Sequence, residues 1–144
     1  MVPRVEVSIT IRAPQPRVAA LYRDYGRWPE LFPATIRGVR PVSAEPRRTI
    51  LEIEHREGRV TNILTELSPA RFDLWESKRL YDATFVNCFE AIPEGTRYTV
   101  RADVRLKGVA KVLGPLLRGT IRRQIYRYVL EPVRRAAEGK AKAV

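Results

Sequence analysis

Cysteine and histidine are nearly absent from this chain of 144 residues, which contains one of each, Cys88 and His55. A single cysteine excludes an intramolecular disulfide, and one histidine with one cysteine cannot form a His/Cys zinc cluster. His55 would also have to be the only base of a serine hydrolase, and the Gly-x-Ser-x-Gly motif of such enzymes is missing. The sequence therefore predicts no metal site and argues against most familiar hydrolases.

Long apolar runs and glycine-rich loops are also missing. No stretch approaches the roughly 20 apolar residues needed to cross a bilayer, and the N-terminus alternates charged with apolar residues. The eight glycines are scattered, so neither a phosphate-binding loop nor a dinucleotide fingerprint occurs. We therefore expect a cytoplasmic protein without a cofactor. The length, with 44% hydrophobic residues, is typical of a single domain over residues 1–144, with 139–144 a disordered tail.

Acidic residues are few, since 16 Asp and Glu stand against 27 Lys and Arg and give a net charge of +11. Residues 107–144 contain ten of the basic side chains and only two acidic ones. Such a segment could attract an anionic membrane surface, nucleic acid or an acidic protein. The alternative is a solvated helix face in a protein rich in arginine. The sequence leaves both interpretations open.

The order of elements follows from the spacing of apolar residues. Residues 4–12 alternate strictly, which indicates a half-buried strand, and two short helices follow, one ending near Gly26 and one around Trp28 to Pro33. Turn signals between residues 37 and 106 separate six further strands, and helical spacing begins at Val109 and continues to about Glu138. This predicts an α+β fold in which a seven-stranded curved antiparallel sheet packs against a long C-terminal helix.

A curved sheet cannot contact a straight helix along its whole length, so we expect a cavity between them. Two segments could line it. Trp28 and Phe32 lie four residues apart on one side of the second short helix and could close one end of the cavity, although both could equally fill the core.

The second segment is Trp75-Glu76-Ser77-Lys78-Arg79. On a strand, Trp75, Ser77 and Arg79 point to one face and offer an aromatic wall, a hydroxyl and a cation. Phe72 and Leu74 have the opposite parity, so the row faces either the cavity, with a bulge after Leu74, or water.

The combination of these motifs resembles the START-like, or SRPBCC, superfamily of helix-grip proteins, most closely its polyketide cyclase/dehydrase branch. The residues that carry the resemblance are Trp28-Pro29, Phe32-Pro33 and Trp75-x-Ser77-x-Arg79, with Asp82 just beyond. It implies a ligand cavity under the C-terminal helix, and in aromatase/cyclase members the arginine of this strand assists cyclisation and dehydration. That role would fall on Arg79.

We predict a protein that binds or carries a small hydrophobic molecule, lipid-like or polyketide-like, as a monomer or homodimer. One alternative is a cyclase/dehydrase in which Arg79 stabilises an enolate while Ser77, Tyr98 or His55 moves the proton. A second alternative is a protein whose basic C-terminal helix docks on RNA, the ribosome or an anionic membrane. The predicted ligand contacts are Trp28, Phe32, Trp75, Ser77, Tyr98, Val100, Leu117 and Ile121.

Overall fold

The computed structural model describes residues 4–56 and 58–139. Seven strands form one antiparallel sheet in the order β1-β7-β6-β5-β4-β3-β2. They are β1 (Arg4–Ile11), β2 (Ile36–Ala44), β3 (Arg48–His55), β4 (Gly58–Ser68), β5 (Arg71–Ser77), β6 (Tyr81–Ile92) and β7 (Gly95–Leu106). The predicted seven-stranded curved sheet is confirmed. Of the predicted disordered tail, residues 140–144 lie outside the described residues.

Two short helices separate β1 from β2, as predicted. Helix α1 spans Gln15–Arg23 and α2 spans Trp28–Leu31, with a single 3-10 turn, Tyr25–Arg27, between them. Each helix has a proline in its first turn, where the missing N–H would have no helical partner. These helices pack near one end of the sheet and close it.

The C-terminal helix is continuous but changes its winding. It begins as a 3-10 segment (Gly108–Leu113), continues as α3 (Gly114–Ile125), passes through a π-helical turn (Tyr126–Leu130) and ends as α4 (Glu131–Glu138). Pro132 cannot donate a backbone hydrogen bond to the preceding turn, and the wider π turn lies just before it, where it accommodates the missing bond without breaking the helix. Within the described residues, no helix has both the length and the apolar character needed to span a bilayer.

Strict alternation in the strands divides the sheet into a concave face toward the helices and a convex outer face. On β7, Tyr98, Val100, Ala102 and Val104 are buried on the concave side, and the residues between them point outward with arginine predominating. The aromatic part of the core is centred on Tyr22. Its ring lies within 6.4 Å, centroid to centroid, of five others: Trp28, Phe32, Phe72, Phe89 and Tyr98.

The apolar stripe predicted for the C-terminal helix is buried only in its second half. Ile125 is buried, and Leu117 and Ile121 are half-buried, whereas Val112, Leu113 and Leu116 are exposed. These three residues share the helical spacing of the stripe but do not pack into the core. Helical spacing alone places an apolar residue on a stripe but does not say where along the helix its partner surface ends.

Candidate functional site between the concave face and the C-terminal helix

A cluster of polar side chains lies on the concave face of the central strands. Asn62 on β4 and Glu76 on β5 are direct cross-strand neighbours, and both are buried. The Asn62 amide donates to one carboxylate oxygen of Glu76 at 3.2 Å, and the Tyr81 hydroxyl donates to the other at 3.0 Å. A carboxylate in an otherwise apolar interior is costly to bury, so its placement calls for a functional explanation.

The Asn62 amide leaves an unused hydrogen-bond acceptor in this cluster. Since a carboxylate of Glu76 can only accept, the amide nitrogen of Asn62 must point at it, and the amide oxygen then has no partner in the described structure. An unsatisfied buried acceptor costs about 1–3 kcal/mol. A donor supplied from outside the chain, by water or by a ligand, would remove that cost.

A second polar pair lies further along the concave face, inside the aromatic cluster. The buried Tyr98 hydroxyl donates to the Asn87 amide oxygen at 2.6 Å, and the Asn87 nitrogen donates to the backbone carbonyls of Phe72 and Phe85. Burial raises the pKa of Tyr22 to about 12, with hydrogen bonding to Tyr98 opposing the shift and the charge of Glu76 adding to it. Burial likewise raises the pKa of Tyr98 well above its usual value. Both phenols therefore remain neutral at physiological pH.

The concave face is not sealed around Glu76. Leu74, Tyr81, Phe85 and Leu106 are concave-face residues of central strands, yet each is only half-buried. The C-terminal helix makes its most extensive sheet contacts with the edge strand β1, so the central strands are less completely covered. The apolar surface beside the buried Asn62–Glu76 pair is thus partly accessible at this end of the sheet.

The structure contradicts the predicted inward placement of Trp75, Ser77 and Arg79. The pairing of β5 with β4 and β6 runs without a shift through Leu74, Trp75 and Glu76, so no bulge reverses the parity. Trp75 lies on the convex face between Ile63 and Thr84. Ser77 donates to Asp82 at 2.6 Å, and Arg79 is exposed in the turn after β5. Because Arg79 lies in an exposed turn and not on the concave face, the geometry gives no support to its predicted role in stabilising an enolate.

The other predicted ligand contacts lie on the correct side of the sheet, and their contact with a ligand stays a prediction. Trp28, Phe32, Tyr98 and Val100 are buried; the first three pack into the aromatic cluster, which fills that end of the interior. Leu117 and Ile121 of α3 are half-buried. His55 is half-buried at the end of β3, opposite Gly58.

Four polar residues of the concave face were not predicted as site residues from the sequence: Asn62, Glu76, Tyr81 and Asn87. The signal was present for Glu76, because the parity of Phe72 and Leu74 continues to it. The sequence gives no such signal for Asn62 or Asn87, because the residue type alone does not distinguish a buried asparagine from an exposed one.

Two surface depressions of about 570 and 750 Å³ lie elsewhere. One follows the outer side of the helix between Thr120 and Glu131, and the other lies beside Arg12–Pro16. Neither includes a residue of the polar cluster, and both are broadly open to solvent, so we do not assign the ligand to them.

Comparison with known proteins identifies the family. The model of the family described as polyketide cyclase/dehydrase and lipid transport matches residues 2–138. The chain belongs to this family. Its sequence matches no curated protein.

The helix-grip fold of this family member is shared by solved structures at low sequence identity. The di-domain ARO/CYC StfQ of the steffimycin biosynthetic pathway superposes with a TM-score of 0.80 at 17% identity, covering 98% of this chain and 52% of that one, so this chain spans about half of StfQ. The aromatase/cyclase Zhui of Streptomyces sp. R1128 gives 0.77 at 14% identity, covering 99% and 98%. A START superfamily protein of Mycobacterium smegmatis gives 0.73 at 16% identity, covering 94% and 97%. At such identities the likeness concerns the fold alone.

Proposed function

We propose that this protein binds a small hydrophobic molecule bearing a hydroxyl group, between the concave face of the sheet and the C-terminal helix. Family membership supports a hydrophobic ligand. The observation that carries the hydroxyl is the Asn62–Glu76 pair, which offers an unused amide oxygen and a carboxylate, both acceptors. An alcohol or phenol supplies the missing donor, and its apolar body would lie against the half-buried Leu74, Phe85 and Leu106.

The same geometry disfavours ligands with an acidic head group. A fatty acid or aromatic carboxylate would place its negative charge beside Glu76. The repulsion between the two carboxylates would be strong there, because the buried surroundings screen charges less than water does. We therefore propose a neutral phenol or alcohol, such as a polyketide-like phenol, as the ligand class.

The test compares 2-naphthol with 2-naphthoate by isothermal titration calorimetry. Wild-type protein should bind 2-naphthol more tightly. Glu76→Gln keeps the size of the side chain but removes its charge, and the new amide could itself donate to the free Asn62 amide oxygen. The variant should therefore bind 2-naphthol about 10-fold or more weakly, while 2-naphthoate should bind better. Glu90→Gln, on the exposed outer side of β6, is the matched control and should change neither affinity. If Glu76→Gln and Glu90→Gln bind 2-naphthol with equal affinity, the assignment of the ligand to the Asn62–Glu76 pair is refuted.

Catalysis of the cyclase/dehydrase kind is a second candidate, favoured by the 3.0 Å contact between Tyr81 and Glu76. A carboxylate and a phenol at this distance could take a proton from a carbon beside a carbonyl and return one to its oxygen. In this version Glu76 is the base. The Glu76→Gln variant should then lose turnover of a phenolic ketone, whereas a simple binding protein shows no turnover in either form.

The cytoplasmic location and the partners of the basic C-terminal helix also remain proposals. The single cysteine, Cys88, is unpaired and consistent with a reducing compartment. Docking on nucleic acid or an anionic membrane would weaken steeply with salt.

A further inference from the structure

Five aliphatic side chains form an exposed cluster where the β5–β6 turn meets the start of the C-terminal helix. We call it the apex patch. Its most exposed members are Val109, Val112 and Leu116, with relative exposures of 84%, 78% and 76%. Leu80 and Leu113 complete it, and the backbone N–H of Lys107 donates to the Leu80 carbonyl at 2.8 Å, which joins the turn to the helix start.

The apex patch is a feature of the fold and not of a frayed segment. Val109, Val112, Leu113 and Leu116 follow helical spacing and share one side of the run, while Ala110 is buried on the other side. Lys107 anchors the segment through an ion pair with Asp82 at 2.9 Å and a bond to the Lys78 carbonyl. Monomeric proteins seldom expose several large aliphatic side chains together without a partner.

Basic residues predominate around this patch, and the nearby acidic side chain, Asp82, is paired with Lys107. Between residues 104 and 130 the sequence has seven Lys and Arg and no Asp or Glu. Lys111 lies between Val109 and Val112, is exposed, and forms no ion pair with any described residue. Arg79 is exposed next to Leu80. The partner that complements this surface is apolar at its centre and negative around it.

We propose that the apex patch docks on an anionic lipid bilayer. Aliphatic side chains enter the boundary between head groups and acyl chains, and the surrounding cations bind acidic head groups. A second copy of the chain fits less well, since each copy would bring the same basic rim. Nucleic acid fits less well because single-stranded bases stack on aromatic rings, and the patch contains none.

The docking proposal does not depend on the proposed recognition of a ligand hydroxyl group. The location of the apex patch nevertheless bears on ligand binding. Tyr81 and Leu106, at the half-buried edge of the concave face, directly adjoin Leu80 and Lys107 in the chain. A bilayer at the apex patch would therefore lie against the open end of the concave face. A hydrophobic molecule could pass between membrane and protein without crossing water.

The test measures binding of the full chain to extruded vesicles by co-sedimentation. Vesicles of phosphatidylcholine with 30 mol% phosphatidylglycerol should bind the wild type, and pure phosphatidylcholine should bind it at least tenfold more weakly. The double variant Val112→Ser/Leu116→Ser should lose at least tenfold in partitioning to the anionic vesicles. Val42→Ser/Leu67→Ser removes two exposed aliphatic side chains away from the patch, and this control should bind like the wild type.

Several outcomes overturn the proposal. Equal partitioning of the two double variants would remove the role of the patch, and equal binding to neutral and anionic vesicles would remove the role of charge. If analytical ultracentrifugation shows a dimer that Val112→Ser/Leu116→Ser dissociates, with no vesicle binding by the wild type, the occupant is a second copy. An RNA oligonucleotide that binds while anionic vesicles do not would assign the basic surface to nucleic acid. If the wild type fails to bind vesicles but binds 2-naphthol with the expected affinity, the docking proposal fails and the proposed ligand-binding function stands.

Discussion

Replacing Tyr22 by phenylalanine should make the protein less sensitive to alkali. The Tyr22 side chain is buried among five aromatic rings, and its pKa rises from an ordinary value of 10.0 to about 12 in the fold, chiefly through burial. A group whose pKa is higher in the folded state favours folding below the unfolded pKa. That contribution is lost as the pH rises from about 10 to about 12.

The size of the effect follows from the shift. Two pKa units correspond to about 3 kcal/mol in total, of which about 1.4 kcal/mol is lost by pH 11 and about 1.9 kcal/mol by pH 11.5. The free energy of unfolding of the wild type should therefore fall by about 2 kcal/mol more than that of Tyr22→Phe between pH 8 and pH 11.5. At pH 8 the variant should be about 1 kcal/mol less stable, because it lacks a buried hydrogen-bonding hydroxyl.

Urea unfolding followed by tryptophan fluorescence measures both quantities. Phe89→Leu disturbs the same aromatic cluster without removing an ionisable group, so it should lower stability by a similar amount at both pH values. If wild type and Tyr22→Phe lose stability in parallel with rising pH, Tyr22 does not have the raised pKa and the interior around it is wetter than its burial indicates.

Two further predictions concern the ends of the sheet. Gly95→Ala should destabilise the fold by about 2–3 kcal/mol, because Gly95 has φ of +141° and an added Cβ would lie 2.3 Å from the Ile11 carbonyl oxygen; thermal melting checks this, and a melting temperature within a degree or two of wild type would contradict it. Asp82→Asn should lower the melting temperature near pH 7, since hydrogen bonds from Ser77 and Lys107 hold the pKa of Asp82 below its usual value. A lowered pKa stabilises above the unfolded pKa and loses this effect as the pH falls, so the deficit should shrink between about pH 5 and pH 3; a deficit that is constant with pH would show that the carboxylate charge is not involved.

The fold was predictable from the sequence because its signals are local and repeated. Strict alternation in β1 and β7 defines one dry face, and prolines mark where the short helices begin. The strand boundary hardest to locate from the sequence is the β5–β6 turn, which occupies residues 78–80. That turn has no glycine or proline to mark it.

The candidate site was harder to predict because it depends on which strands become neighbours. Glu76 is functional in our interpretation only because Asn62 lies opposite it and Tyr81 reaches back to it, and both contacts join separate strands. The motif-based choice of Trp75, Ser77 and Arg79 required a bulge after Leu74. Continuous pairing on both sides of β5 leaves no extra residue for one.

Two arginines of α3 are hydrogen-bonded to the edge of the sheet. Arg118 donates to the Arg4 carbonyl and Arg122 to the Glu6 carbonyl, and β1 is an edge strand whose outer carbonyls would otherwise be free. Guanidinium groups thus occupy the positions that an incoming strand from another molecule would need. At high protein concentration, growth of the sheet from this side is blocked, and self-association through strands is restricted to the irregular β2 border.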